Sequence, residues 1–334
     1  MVSRKKSNCK KFNILFTCIG RRVSLLNSFK EAAKKLKLNC RFLGTERTEL
    51  SSAFQLCDDG FLVKSVSHKK YIDQLLEIVR KNNVKLLVPT VDLDLKDLAL
   101  NKDKFAKLGC TVLVSSPEVV DICQDKRKTF KFLKQNNFDT PETLTARQAM
   151  AKKSLKYPCF LKPWDGYASR GTALVRNRKE LAFYAKKIPN CLVQEFAQGH
   201  EYTCDCFVDF EYQVRCIVPR KRIEVRSGEV SKGQIIKNRV IIAQAAKLAN
   251  ALKAGPGVIT IQLIFTKGQR IKFIEINPRF GGGAPLSIKA GADFPKWILS
   301  QLIGKKPRIK FGGFKNNLTM LRYDAEVWLK PYGG

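Results

Sequence analysis

The segment Phe273-Ile274-Glu275-Ile276-Asn277-Pro278-Arg279-Phe280-Gly281-Gly282-Gly283 constrains this chain more than any other, because an apolar run there delivers a carboxylate, an amide and a guanidinium beside three glycines. Strand side chains alternate with a period of two, so Glu275 and Asn277 share a face as two oxygen donors of the kind that suits Mg²⁺. Pro278 then ends the ladder. Val258 to Thr266 reads as the preceding strand, with Lys267-Gly268-Gln269-Arg270 as a short hairpin loop. If Thr266 pairs with Ile271, Gln262 falls opposite Glu275 and becomes a third oxygen donor. An isolated Glu-x-Asn-Pro also fits a solvated edge strand and a glycine turn. Here the polar residues interrupt Val/Ile/Phe-rich runs, where a buried carboxylate is costly unless paired or metal-bound.

With 334 residues, 44% of them hydrophobic and 10% aromatic, the chain can build two or three domains with real cores. No apolar run approaches the roughly 20 residues that span a bilayer. Phe12 to Ile19 is short and leads into Gly20-Arg21-Arg22 without a small-residue cleavage pattern, so a cytoplasmic protein without membrane insertion is expected. The eleven Cys are scattered, odd in number and mostly set in apolar strands, as Cys159, Cys204, Cys206 and Cys216 are. They read as reduced core thiols. With no Cys-x-x-Cys and only His68 and His200, zinc chemistry and a Cys/His nucleophile are poorly supported. The formal charge of +33 points either to an anionic polymer or surface, or to dispersed background charge. The excess is mainly Lys spread along the chain, and a helix face such as Lys126 to Lys134 tolerates it as solvated surface.

From Phe12 to about Pro117, short apolar runs (Asn13 to Cys18, Cys40 to Leu43, Leu86 to Pro89, Thr111 to Val114) alternate with helical patterns at Val23 to Leu36, Tyr71 to Lys81 and Leu95 to Leu108. This predicts a small parallel α/β domain. Gly20 suits a tight strand-to-helix turn, which places Arg21 and Arg22 at the carboxyl edge where open α/β sheets bind ligands. Asp92 and Asp94 lie at the same edge, as substrate contacts or as helix caps. After a helix carrying Asp125 and Lys126, the loop Asn136 to Pro141 leads into mixed structure. Strands are expected at Tyr157 to Lys162, Leu192 to Glu195, Tyr202 to Asp209 and Gln213 to Val218, and a long amphipathic helix at Gln234 to Leu252. Pro219 to Arg226 is expected to join two elements.

Lys162 closes an apolar strand and is followed by Pro163, Gly166, Ser169 and Gly171. An ammonium there needs an anion, and a Gly/Ser loop offers backbone N–H groups to phosphates, although an ordinary hairpin turn has the same composition. Gln194-Glu195-Phe196-Ala197-Gln198-Gly199-His200-Glu201 follows a short strand. Its backbone beside Glu195 suits an adenine edge and Glu201 suits ribose hydroxyls, while read alone it is a polar loop.

In this order and spacing the segments resemble the ATP-grasp superfamily, most closely its carbamoyl-phosphate-synthetase-like branch, over nearly the whole chain. The resemblance implies an α/β and α+β protein. A Rossmann-like pre-ATP-grasp domain would occupy 1–116, a two-lobed ATP-grasp domain 117–310 with its lid at about 141–196, and a C-terminal extension 311–334. Leu161-Lys162-Pro163 with Gly166 to Gly171 looks like the lid over the triphosphate, and Gln194 to Glu201, with Glu195, Phe196 and Glu201, like the adenosine hinge. Lys126 matches the first nucleotide-binding basic residue, a position that a surface helix lysine explains almost as well. Glu275, Asn277 and Gln262 match the metal strand pair. Gln262 stands where many relatives carry an acid, and the lid has fewer glycines than a typical one, with Tyr167 and Arg170 inside it.

The implied cofactors are ATP and Mg²⁺ or Mn²⁺, and the implied reaction transfers the γ-phosphoryl group to a carboxylate, giving an acyl phosphate that an amine attacks. Lys126 and Lys162 would screen phosphate charge, and Arg279 would face the transferring group or the oxyanion. Arg222 or Arg226 is the expected clamp for the substrate carboxylate, with a solvated loop as the alternative, and Arg21 is a further substrate candidate. A carboxylate or carbamate kinase, and a basic ATP-binding protein associated with nucleic acid, are the competing functions. Small-molecule acid and amine substrates are the expected partners. An anionic polymer and a homodimer are left open.

Overall fold

The computed structural model describes residues 12–166 and 171–329. The chain divides into two compact units: the described residues up to Val114 with Asp293–Ile309 and those from Asp324 onward, and Ser115–Ala292 with Lys310–Tyr323.

The first unit is a five-stranded parallel sheet in the order β3-β2-β1-β4-β5. Its strands are β1 (Phe12–Thr17), β2 (Cys40–Glu46), β3 (Asp59–Leu62), β4 (Val84–Pro89) and β5 (Thr111–Val112), with helices α1 (Val23–Leu36), α2 (Ser52–Gln55), α3 (Tyr71–Lys81), α4 (Leu95–Leu100) and α5 (Lys102–Lys107) between them. Ile14, Leu15 and Phe16 are all buried, as in a strand covered on both faces. In α1 the apolar spacing buries Leu25, Leu26, Phe29, Ala32 and Ala33, and left-handed Lys37 (φ 54°) ends the helix. The single helix expected over Leu95 to Leu108 is broken at Asn101, whose φ of −110° is not helical and whose Nδ2 donates back to Asp97 O at 2.9 Å. Strand order reverses between β1 and β4, the switch point where open sheets form a crevice. Asp94 begins α4 there but makes no side-chain cap. It is buried and accepts the Tyr71 hydroxyl at 3.0 Å. Burial pushes its carboxyl up to about 6.

The second unit begins with α6 (Pro117–Gln124) and α7 (Lys126–Gln135). A four-stranded sheet follows in the order β6-β9-β7-β8, from β6 (Thr143–Thr145), β7 (Cys159–Pro163), β8 (Ala173–Val175) and β9 (Cys191–Glu195). With α8 (Ala146–Ala151) and α9 (Arg178–Lys187) it encloses Cys159, Leu161, Val175, Leu181 and Val193. The larger sheet runs β14-β13-β10-β11-β12-β15. Its strands are β10 (Gly199–Val208), β11 (Val214–Arg226), β12 (Glu229–Ile235), β13 (Gly257–Thr266), β14 (Ile271–Asn277) and β15 (Thr319–Leu321), accompanied by α10 (Arg239–Leu252) and α11 (Ala284–Lys289). Two expectations change here. Pro219 to Arg226 is not a connection but the continuation of β11, paired with both β10 and β12. The helix expected from Gln234 starts at Arg239, because residues through Ile235 form β12 and Asn238 caps the helix by accepting from Ile241 N at 3.0 Å.

One face of the six-stranded sheet holds Tyr202, Cys204, Cys206, Ile259, Ile261, Leu263, Phe273 and Ile276 against Ile241, Ala245 and Leu248 of α10. By the two-residue period the other face carries Glu201, Thr203 and Asp205 of β10, Arg220 and Arg222 of β11, Thr260 and Gln262 of β13, and Glu275 and Asn277 of β14.

Candidate active site

Gln262 stands opposite Glu275, and Thr260 opposite Asn277. The route to that pairing differs from the expected one. Ile271 pairs with Phe265 rather than Thr266, and a bulge between Leu263 and Gln262 absorbs one residue of β14, Ile274. The bulge also changes the parity of the strand. Phe273 packs into the core with Ile276, while Glu275 and Asn277 lie on the polar face. Among the described residues no group of three or more His, Cys, Asp and Glu side chains gathers as a metal site. The donor set here is one carboxylate and two amide oxygens, which fits a Mg²⁺ ion that completes its shell with water and phosphate oxygens.

Lys162 lies on β7 with its side chain almost wholly buried. Burial pushes its pKa down to about 8, against the pull of Glu275 and Glu201 and with the push of Lys126. All four charged groups therefore share one electrostatic neighbourhood. Lys126 opens α7, where Asp125 caps the helix by accepting from Arg127 N at 2.8 Å. Its Nζ donates to Gly166 O and its backbone N to Trp164 O, so the root of the glycine loop is fastened to the helix start. The Arg127 guanidinium stacks over the Trp164 ring at 3.8 Å.

Glu201 pairs with Arg222 at 2.8 Å, and its burial raises the carboxyl pKa. Arg222 also donates to Gly228 O at 3.1 Å, while its buried Nε has no hydrogen-bond partner. Arg279 donates to Phe280 O at 3.1 Å and, at 3.4 Å, to Asn277 Oδ1. Glu195 ends β9. Burial opposes its charge, but two bonds from Lys272 at 2.7 and 2.8 Å and the Glu142 N–H hold its carboxyl below the usual range. The Phe196 ring is half exposed, and Gly171 takes a left-handed φ of 66°. Arg226 lies at the exposed end of β11 opposite Glu229, away from the partly buried Arg222. Arg21 belongs to the first unit, in the turn after β1. Ser169, with Tyr167 and Arg170, lies outside the described residues.

Sequence reasoning did not single out Asp205, Arg220, Thr260 or Arg322. Asp205 and Arg220 form a buried two-point ion pair at 2.7 and 2.8 Å. The available signal was Asp205 itself, an acid inside the apolar run from Cys204 to Val208 that needs a partner once buried.

Residues 123–283 match the model of the ATP-grasp domain family, and residues 14–113 that of the PylC-like N-terminal domain. The chain carries an ATP-grasp domain over residues 123–283. A carbamoyl phosphate synthase large chain from Thermoanaerobacter sp. is 28% identical over 236 residues, which covers 64% of this chain and 21% of that protein. The chain thus spans about a fifth of the length of that relative. Two solved structures share the fold. One is the biotin carboxylase domain of Hydrogenobacter thermophilus 2-oxoglutarate carboxylase with MgADP, ADP and bicarbonate (TM-score 0.74, 15% identity, 93% of this chain and 74% of that chain). The other is an L-amino acid ligase from Bacillus licheniformis (TM-score 0.66, 18% identity, 87% of this chain and 74% of that chain). No helix among the described residues is long and apolar enough to cross a membrane.

Proposed function

We propose that this ATP-grasp protein is an ADP-forming carboxylate–amine ligase that works through an acyl phosphate. The observation that carries the reading is the buried ammonium of Lys162 beside Glu201 and Glu275, with Gln262 directly across from Glu275. A buried cation among acids and amide oxygens is a site prepared for a polyanion that arrives with a divalent metal.

Glu275, Gln262 and Asn277 would hold Mg²⁺, which when bound neutralises phosphate charge and orients the oxygens. Lys162 and Lys126 bind the phosphates. For Lys126 this means exchanging its bond to Gly166 O for a phosphate oxygen, which frees the root of the glycine loop. Asn277 Oδ1 accepts from Arg279 at 3.4 Å, a long bond that Arg279 can give up in turning to the transferring group. Arg222, with its unpartnered Nε, supplies a donor for the acceptor carboxylate. The hinge around Glu195 and Phe196 takes the base, with Glu201 toward the ribose. The nucleotide-handling segment is assigned to 117–310, with the lid at about 141–196. The L-amino acid ligase, which shares the fold, supports the ligase class. The ten described cysteines are free thiols, in keeping with a reducing compartment such as the cytoplasm.

A carboxylate or carbamate kinase would use the same residues, and the carbamoyl phosphate synthase relative supports keeping it as a second reading. The test is incubation of the pure protein with Mg-ATP and pooled acids and amines, following ADP by enzyme coupling and conjugates by mass. Ligation requires an amine-dependent conjugate. Amine-independent accumulation of a phosphorylated acid selects the kinase, and no ADP from any mixture rejects both. Lys162→Ala is expected to lose most turnover.

A further inference from the structure

The turn that follows Arg279 is gripped from two sides. From the sheet, Arg220 is 2% exposed and fixed on Asp205, which also accepts the Ser287 hydroxyl at 2.6 Å. A Cβ on Gly283 would stand 2.2 Å from Arg220 Nη1, and one on Gly281 would stand 3.0 Å from Thr260 Oγ1. The turn backbone therefore lies directly on the guanidinium. Gly283 has φ −92° and ψ 0°, which any residue adopts, so its glycine is explained by this close approach rather than by its dihedrals. From the other side, Arg322, just past β15, donates to Gly282 O at 2.6 Å and meets Glu229 at 3.0 Å. Thr260 Oγ1 completes the grip by donating to Arg279 O at 3.0 Å.

A fully buried ion pair contributes little net stability compared with apolar side chains of the same shape. Fixing a backbone turn beside reacting groups is a different use of the same contacts, because a misplacement of about 1 Å costs up to about a hundredfold in rate. We propose that Arg220 and Arg322 are positioning residues that hold the Gly281–Gly283 turn and, through it, the Arg279 guanidinium, so that the segment ending in Arg322 forms part of the site's geometry. The functional half of this inference rests on the ligase reading above.

The test uses the full chain with Arg322→Ala, Arg322→Lys and Gly283→Ala. Arg322 is partly exposed, so its truncation leaves the core filled. Hydrogen exchange of the peptide covering 278–288 is expected to speed up in Arg322→Ala and Gly283→Ala, and less in Arg322→Lys, which keeps a donor but not the fork. Mg-ATP affinity by calorimetry is expected to stay within about twofold, while kcat in the coupled ADP assay falls about tenfold or more. Unchanged exchange at 278–288 in both Arg322→Ala and Gly283→Ala overturns the proposal. So does altered exchange with unchanged kcat. If the wild type yields no ADP with any acid and amine, the ligase reading fails, and the exchange arm still decides whether the two arginines hold the turn.

Discussion

At Lys162, burial and charge act in opposite directions on one proton. Burial pushes the ammonium down to about 8, while Glu275 and Glu201 oppose that shift and Lys126 adds to it. A phosphate ligand favours the charged form, so nucleotide binding raises this pKa and takes up a proton wherever the free protein has lost it. Mg-ATP affinity is therefore expected to fall as pH rises through about 8. Calorimetry in two buffers of different ionisation enthalpy should record proton uptake above that pH, and Lys162→Met should abolish it. An affinity that stays flat through this range would place Lys162 away from the phosphates. Stability runs the other way. The unfolded chain keeps this proton up to the ordinary lysine value of 10.5 while the folded chain releases it near 8, so this residue makes the nucleotide-free protein gain stability as pH rises between the two.

At the scale of elements, β14 shows how far pattern reading reaches. The alternation in Phe273 to Asn277 placed Glu275 with Asn277 because that relation is local. It also implied that Phe273 shares their face, and the bulge at Ile274 breaks this implication by putting Phe273 into the core. Helices α1 and α3 were legible to their ends, since their apolar spacing is strong and local. β3 and β15 were not, because four and three residues of alternating exposure carry almost no period. The charged stretch Arg220 to Arg226 hid the continuation of β11, and with it the Asp205–Arg220 pair, which only strand register brings together. The bulge yields a test with two arms. Deleting Ile274 restores simple alternation with Glu275 still facing Gln262, so Mg-ATP binding should survive within about tenfold. Deleting Ile276 turns Asn277 toward the core, and binding should be lost. Equal loss in both, with the melting transitions retained, would show that the bulge itself and not the parity of Glu275 and Asn277 shapes the site.

Over the whole molecule, 62 basic residues face 29 acidic ones. Among the described residues, ion pairs such as Lys81 with Glu77, Lys128 with Asp121 and Lys232 with Glu224 are solvated, and such exposed pairs contribute little net stability. The unpaired cations repel one another at a range comparable to the Debye length, about 10 Å at 0.1 M salt and about 30 Å at 0.01 M. Salt weakens both contributions, but the repulsion is summed over many more pairs than the attraction. The melting temperature should therefore rise between roughly 10 and 300 mM NaCl, the reverse of what a protein held by surface ion pairs would show. The buried Asp205–Arg220 pair is screened much less than exposed charges and should not change the direction of this response. Thermal melts at fixed pH and protein concentration read the sign directly. A falling melting temperature would mean that the surface charges are organised into stabilising networks rather than dispersed as background. In that case a polyanionic partner, which would act on the same cations, would have to displace those networks in order to bind.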